Sequence, residues 1–160
     1  MSVTELVTAL GMIAAGVGVF YAALQLRMSQ KAAREEFLLH MFELLQHFNP
    51  VHLRLQEGTW SDDESEEEWM ELNRYMGLIE HIKLLIDDGF LSVRTVDRLF
   101  SHRVHAIVTN PSVRRRNLEE RKEIWRDFHE LWGALQSQPS YRAYEAFART
   151  KAAGAQPLKG

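Results

Sequence analysis

Cysteine is absent from the 160 residues of this chain. Its absence excludes disulfides, thiol nucleophiles and thiolate metal sites, so any folded part is held together by packing alone. Proline and glycine are scarce, at 4 and 9 residues, and such sparse punctuation suits long helices better than many short strands. An excess of one charge is also missing. The 19 Lys and Arg against 22 Asp and Glu leave a net charge of −3, without the basic footprint of a nucleic-acid partner. The sequence has no Gly-rich phosphate loop, no nucleophile elbow and no internal repeat.

What the chain does have is one long uncharged run. Leu6 to Leu26 is 21 residues without a charge, flanked by Glu5 and Arg27. At ~1.5 Å per residue a helix of that length spans roughly 31 Å, the thickness of a bilayer's hydrocarbon core. A cleaved signal peptide would need a basic leading region, and the only early charge is acidic. The run therefore predicts a retained transmembrane anchor over residues 1–27. Arg27, Lys31 and Arg34 follow it and no Lys or Arg precedes it. The positive-inside rule then puts the N-terminus outside the cell (inner) membrane and the rest in the cytosol, with these three residues anchored at lipid headgroups. Within the run Gly11, Ala15, Gly18 and Ala22 share one helical face, and Ala14, Gly18 and Ala22 repeat a small-x-x-x-small spacing. Smooth faces of this kind let helix backbones approach closely in lipid, so the expected partners are the membrane and either a second copy or another membrane protein.

Residues 28–152 read as a small all-α cytosolic bundle of about four to five helices, with 153–160 as a disordered tail. No Pro or Gly interrupts the chain between Gly18 and Pro50, which predicts one helix of about 45 residues leaving the membrane, with Met28, Ala32, Leu38, Phe42 and Leu45 on its apolar side. A short turn or helix, Val51 to Gln56, precedes the acidic loop GTWSDDES. Ser65 and Glu68 have capping-box spacing before a helix from Glu66 to Asp87, whose stripe is Trp69, Leu72, Met76, Ile79, Ile82 and Ile86. Ser92 opens a third helix with Val96, Phe100, Val104 and Ile107 inward. A fourth is expected unbroken from Ser112 to Gln138, burying Leu118, Ile124, Trp125, Phe128, Trp132 and Leu135. A short helix bearing Tyr141, Tyr144 and Phe147 follows Pro139.

The stretches YAALQLRMSQKAAREEFLLHMFELL, ELNRYMGLIEHIKLLIDDGFLS and FSHRVHAIVTNPSVR resemble a family of small uncharacterised bacterial proteins with one N-terminal transmembrane helix and a helical domain of unknown function. The resemblance covers roughly residues 20 to 135. It implies the same layout and brings no activity.

The seven histidines do not carry a metal pattern. None follows a Glu by three residues, as a di-carboxylate bundle requires. His102 and His105 are read on the polar side of their helix. His129-Glu130 begins like a zinc-protease helix, but Gly133 stands where the second ligand belongs. No catalytic, cofactor or metal site is assigned. Two charges inside apolar stripes, Glu80 and Arg103, suggest a partly buried ion pair between neighbouring helices. The functional expectation is a membrane-anchored interaction, scaffold or accessory-subunit protein without catalytic activity or cofactor. The alternatives are an enzyme with a scattered site around Glu80, Arg103 and the histidines, and a membrane-associated signalling or effector protein.

Overall fold

The computed structural model describes the backbone of residues 3–154 and the side chains of Tyr21 and residues 25–150. Every regular element among the described residues is helical. The helices are α1 (Val3–His47), α2 (Asn49–Glu57), α3 (Glu66–Asp87), α4 (Val93–Thr109), α5 (Pro111–Val113), α6 (Arg126–Gln136) and α7 (Pro139–Gly154), with a π-helical turn at Arg114–Glu119. Packing divides the chain into two units, one ending at Leu44 and one beginning at Leu45.

The first unit is the helical stretch of α1. From Gln25 to Glu36 every side chain is exposed, so Met28 (72 % exposed) and Ala32 are not core residues here. Lys31 Nζ lies 3.8 Å from Glu35 Oε1, one turn on. The described residues contain no helix long and apolar enough to cross a membrane. The side chains of Gly11, Ala15, Gly18 and Ala22, and nearly all of the run Leu6–Leu26, lie outside the described side chains. The same holds for most of the expected tail.

The second unit is a helical bundle built around α4. Local chemistry sets its element ends. Ser65 Oγ accepts from Glu68 N (3.3 Å) while Glu68 Oε2 accepts from Ser65 N (2.9 Å), the reciprocal capping box that starts α3. Ser92 Oγ accepts from Thr95 N (3.1 Å) at the head of α4. Helix α2 ends on Gly58 at φ 72°, a left-handed position that costs an L side chain strain and glycine nothing. The inner faces largely follow the expected spacing: Trp69, Leu72, Met76, Ile79 and Ile82 of α3 are buried, with Ile86 at its end half-buried, and Val96, Phe100, Val104 and Ile107 of α4 are buried. Helix α4 packs against α2, α3, α6 and α7, and α3 packs on α6. Enclosed on several sides, α4 also buries Asp97, Ser101, Arg103 and His105.

The helix expected from Ser112 to Gln138 is broken. Asn110 Oδ1 accepts from Val113 N (3.1 Å) to start α5, and the chain then widens into the π turn, closed by Glu120 N donating to Arg115 O five residues back (3.0 Å). The wider turn places Asn117 and Leu118 inward and leaves Arg114 and Arg115 exposed. Residues 120–125 then form turns before α6. Ile124, expected in the core, is 68 % exposed as a result, while Trp125 is buried.

Candidate functional site

The polar groups buried by α4 define the chemistry of the bundle. Arg103 donates from Nη2 to Asn49 Oδ1 (3.0 Å) and from Nη1 to Tyr75 Oη (3.3 Å). Tyr75 Oη in turn lies 3.2 Å from His52 Nδ1. A guanidinium only donates, so the Tyr75 oxygen accepts from Arg103, which leaves its own hydrogen free to go to His52 Nδ1 when that nitrogen carries no proton. The relay holds only if Nδ1 of His52 is bare, which makes His52 a neutral imidazole. Burial, with the Arg103 charge and then His102 nearby, lowers the His52 pKa to about 4. Burial raises that of Tyr75 to about 12 against the opposing pull of Arg103. The rings of His52 and His102 meet edge-on at 5.3 Å, and burial followed by the Arg103 charge holds His102 below its ordinary value.

Where α7 crosses α4, the aromatic cluster continues. His105 is 5 % exposed, with Tyr144 and Tyr141 rings at 4.9 and 5.7 Å. Burial lowers its pKa, against an upward pull from Glu145. On one side of α7 opens a cleft of about 490 Å³ lined by His105, Trp132, Tyr141, Glu145, Arg114 and Arg149. Trp132 Nε1 donates to Tyr141 Oη (2.9 Å) across its wall. Arg149 and Arg114 are each held by one carboxylate, Glu145 (2.8 Å) and Glu119 (3.0 Å). A second cleft, of about 350 Å³, lies on the other side of α7 against Leu55, Pro111 and Phe147. The first cleft thus offers aromatic walls, a neutral imidazole and two guanidiniums. Its threonine hydroxyl, Thr109 Oγ1, donates to His105 O of its own helix (2.7 Å).

The acidic segment before α3 meets the basic turn after α5. Arg115 pairs with Asp62, Arg116 with Glu66 (2.9 Å), and Arg54 with Glu64 and Glu68. Arg116 also lies over the Trp69 ring (4.3 Å) and Arg54 over the Trp60 ring (4.6 Å), while the two indoles pack edge-to-face at 5.8 Å. The acids therefore serve both the α3 N-terminus and an arginine clamp over paired tryptophans.

Glu80 and Arg103 form no ion pair with one another. Glu80 Oε1 accepts from the backbone N–H of Phe128 (3.1 Å), in the first turn of α6, while Arg103 is engaged with Tyr75 and Asn49. The pattern that placed both in apolar stripes was sound, but it held no information on which neighbour each one faces. His102 and His105 also depart from expectation, being turned inward because α4 is covered by α7 as well as by α2 and α3. Arg27, Lys31 and Arg34 are exposed. Among the described residues no three His, Asp or Glu side chains converge as a metal would require.

Sequence reasoning missed Asp97, Asn110, His52 and Trp60. Asp97 Oδ2 and Oδ1 accept from the backbone N–H groups of Ser140 (2.9 Å) and Tyr141 (2.8 Å), the second and third residues of α7. An acid one position from Val96 in an apolar stripe was a readable signal. Its target 43 residues away was not. The chain matches no family model, no curated protein and no solved structure.

Proposed function

We propose that the chain is a membrane-anchored helical interaction module, acting as a scaffold or accessory subunit, with its N-terminus outside and the bundle in the cytosol. The observation that supports this reading is the uncharged run Leu6–Leu26 set inside a single helix, Val3–His47, that runs on without interruption. The basic residues after the run, Arg27, Lys31 and Arg34, favour this orientation.

Alkaline carbonate washing of membranes, followed by purification in mild detergent and mass measurement, tests the proposal. A chain that resists carbonate and purifies with a protein partner or a second copy supports it. A chain released by carbonate removes the anchor. A reporter fused after Gly160 should act on the cytosolic side, and accessibility only from outside would reverse the orientation.

A second reading rests on the cleft beside α7. Aromatic walls with Arg114 and Arg149 suit a small carboxylate or phosphate bearing an apolar body. This version of the ligand-binding or enzymatic alternative does not involve Glu80. Thermal-shift titration with aromatic carboxylates and phosphates, compared between the parent chain and Arg149→Ala, separates it from the first.

A further inference from the structure

On α1, the residues Tyr21, Gln25, Met28, Ala32, Glu35 and Leu39 follow one another at alternating steps of four and three. That alternation is the 3.5-residue period of a coiled-coil seam, and all six side chains are exposed. The alternation also runs backwards without a break: Gly18 stands three residues before Tyr21, Ala14 four before that, and Gly11 three further. Four of the six, Tyr21, Met28, Ala32 and Leu39, are apolar, and they stand exposed on the helix surface.

We propose that this face of α1 is a parallel, in-register seam for a second copy of the same chain. The proposal deepens the membrane-anchored reading, which would give both copies the same orientation. The charges beside the seam identify the occupant. With Gln25, Ala32 and Leu39 as a positions and Met28 and Glu35 as d positions, Lys31 falls at g and Glu36 at e of the following heptad. In a parallel pair, a g residue meets the e residue five places later on the other helix. Lys31 of each copy therefore meets Glu36 of the other, giving two complementary pairs by symmetry. An antiparallel pair would not bring these two residues together. Gln25, a polar group at an a position, favours the one register in which it faces itself. Glu35 is the seam residue that opposes association, partly offset by Lys31 of its own helix at 3.8 Å.

The natural absence of cysteine makes the test clean. Full-length Met28→Cys, Ala32→Cys, Leu39→Cys and, as an outward-facing control, Gln30→Cys are oxidised in native membranes. The expected result is disulfide-linked dimer at all three seam positions and its loss at position 30. Lys31→Glu added to Met28→Cys should lose the cross-link, and Glu36→Lys in the same chain should restore it. Replacing Glu35 with Leu should raise the dimer fraction. Equal cross-linking at 28 and 30, cross-linking at one seam position alone, or a linked species with another protein's mass would overturn the proposal. Carbonate extraction of the same samples keeps the two readings apart. A released chain that still cross-links selectively at the seam loses the anchor and keeps the seam. A membrane-integral chain without position-selective cross-links keeps the anchor and loses the seam.

Discussion

Replacing Asp97 should undock α7. The Asp97 carboxylate is 1 % exposed and accepts two backbone N–H groups, at 2.9 and 2.8 Å. Both donors belong to the first turn of α7, where helix geometry leaves N–H groups without intrahelical partners. Pro139 opens that turn and has no N–H to offer. Each hydrogen bond to a charged group contributes about 1.5–3 kcal/mol, and a carboxylate at a helix N-terminus adds ~0.3–1 kcal/mol. Asp97→Ala removes both bonds. The Ser140 N–H can recover water, since Ser140 is half-buried, but Tyr141 is buried and its N–H cannot. The net cost is then about 2–4 kcal/mol. Asp97→Asn keeps one acceptor and turns an NH₂ towards a donor, so it should fall between Ala and the parent. Urea unfolding of the full chain in mild detergent measures the loss, and hydrogen exchange locates it. Amides of residues 141–150 should exchange much faster in Asp97→Ala, while those of α3 keep their protection. A loss below ~0.5 kcal/mol with unchanged exchange in α7 would show that Tyr141 and Tyr144 hold the helix by packing and that the carboxylate is incidental.

Glu80 and Arg103 have separate partners, so Glu80→Gln and Arg103→Met should destabilise additively within ~0.5 kcal/mol, and a larger coupling in a double-mutant cycle would put them in contact. His52 should make the bundle sensitive to acid. Its folded pKa of about 4 lies below the ordinary 6.5, so its contribution is fully present above pH 6.5 and is lost as pH falls towards 4. His102 and His105 are lowered in the same direction and add to the effect. Urea midpoints at pH 7 and 5 should differ less in His52→Gln than in the parent, and an identical pH difference in both would refute the neutral relay. Arg54→Ala should cost about 1–2 kcal/mol by uncovering Trp60 and freeing Glu64 and Glu68, with a red-shifted tryptophan emission as its mark.

How much of this was legible in the sequence depends on how local each cause is. The α3 boundaries, Glu66–Asp87, were readable because Ser65 and Glu68 satisfy each other across three residues and no distant group is involved. The α4 cap at Ser92 is equally local. The break between Val113 and Arg126 was not readable. The segment RRRNLEERKEIW holds no Pro or Gly, and its propensities suit a helix. The π turn instead serves Asn117, whose Nδ2 reaches Asn73 Oδ1 (2.8 Å), and the arginines that reach Asp62 and Glu66. Those partners lie 44 to 53 residues away, and periodicity carries no information at that range. Trp60 was hidden for the opposite reason. It sits in a loop whose composition is polar, and distant groups turn it into a core residue: the Trp69 ring, the Arg54 guanidinium and Asn110, whose Nδ2 donates to Trp60 O.

The polar residues inside the apolar stripes share one logic that explains both errors on the candidate site. Helices α6 and α7 begin without a local side-chain cap: Trp125 offers α6 no side-chain oxygen, and Gln138, just before Pro139 of α7, turns its amide to Ser137 Oγ (3.5 Å). Each leaves first-turn N–H groups without an intrahelical partner, at buried residues Phe128 and Tyr141 and at half-buried Ser140. The bundle supplies an oxygen from a different helix in each case, Glu80 of α3 for α6 and Asp97 of α4 for α7. Asn110 does the same for α5 from the adjoining residue. A carboxylate in an apolar stripe is therefore matched here by a helix end, and a helix end is invisible to a search for an opposite charge. Arg103 follows the same rule with the sign reversed, since Asn49 and Tyr75 give its donors oxygens without a compensating acid. That leaves its positive charge beside His52 and His102, where burial first and this charge second lower the pKa of both imidazoles. The buried polar set thus orders the helices through directional bonds and leaves one cation facing neutral rings, an arrangement that fixes register and concentrates the bundle's response to acid in α2 and α4.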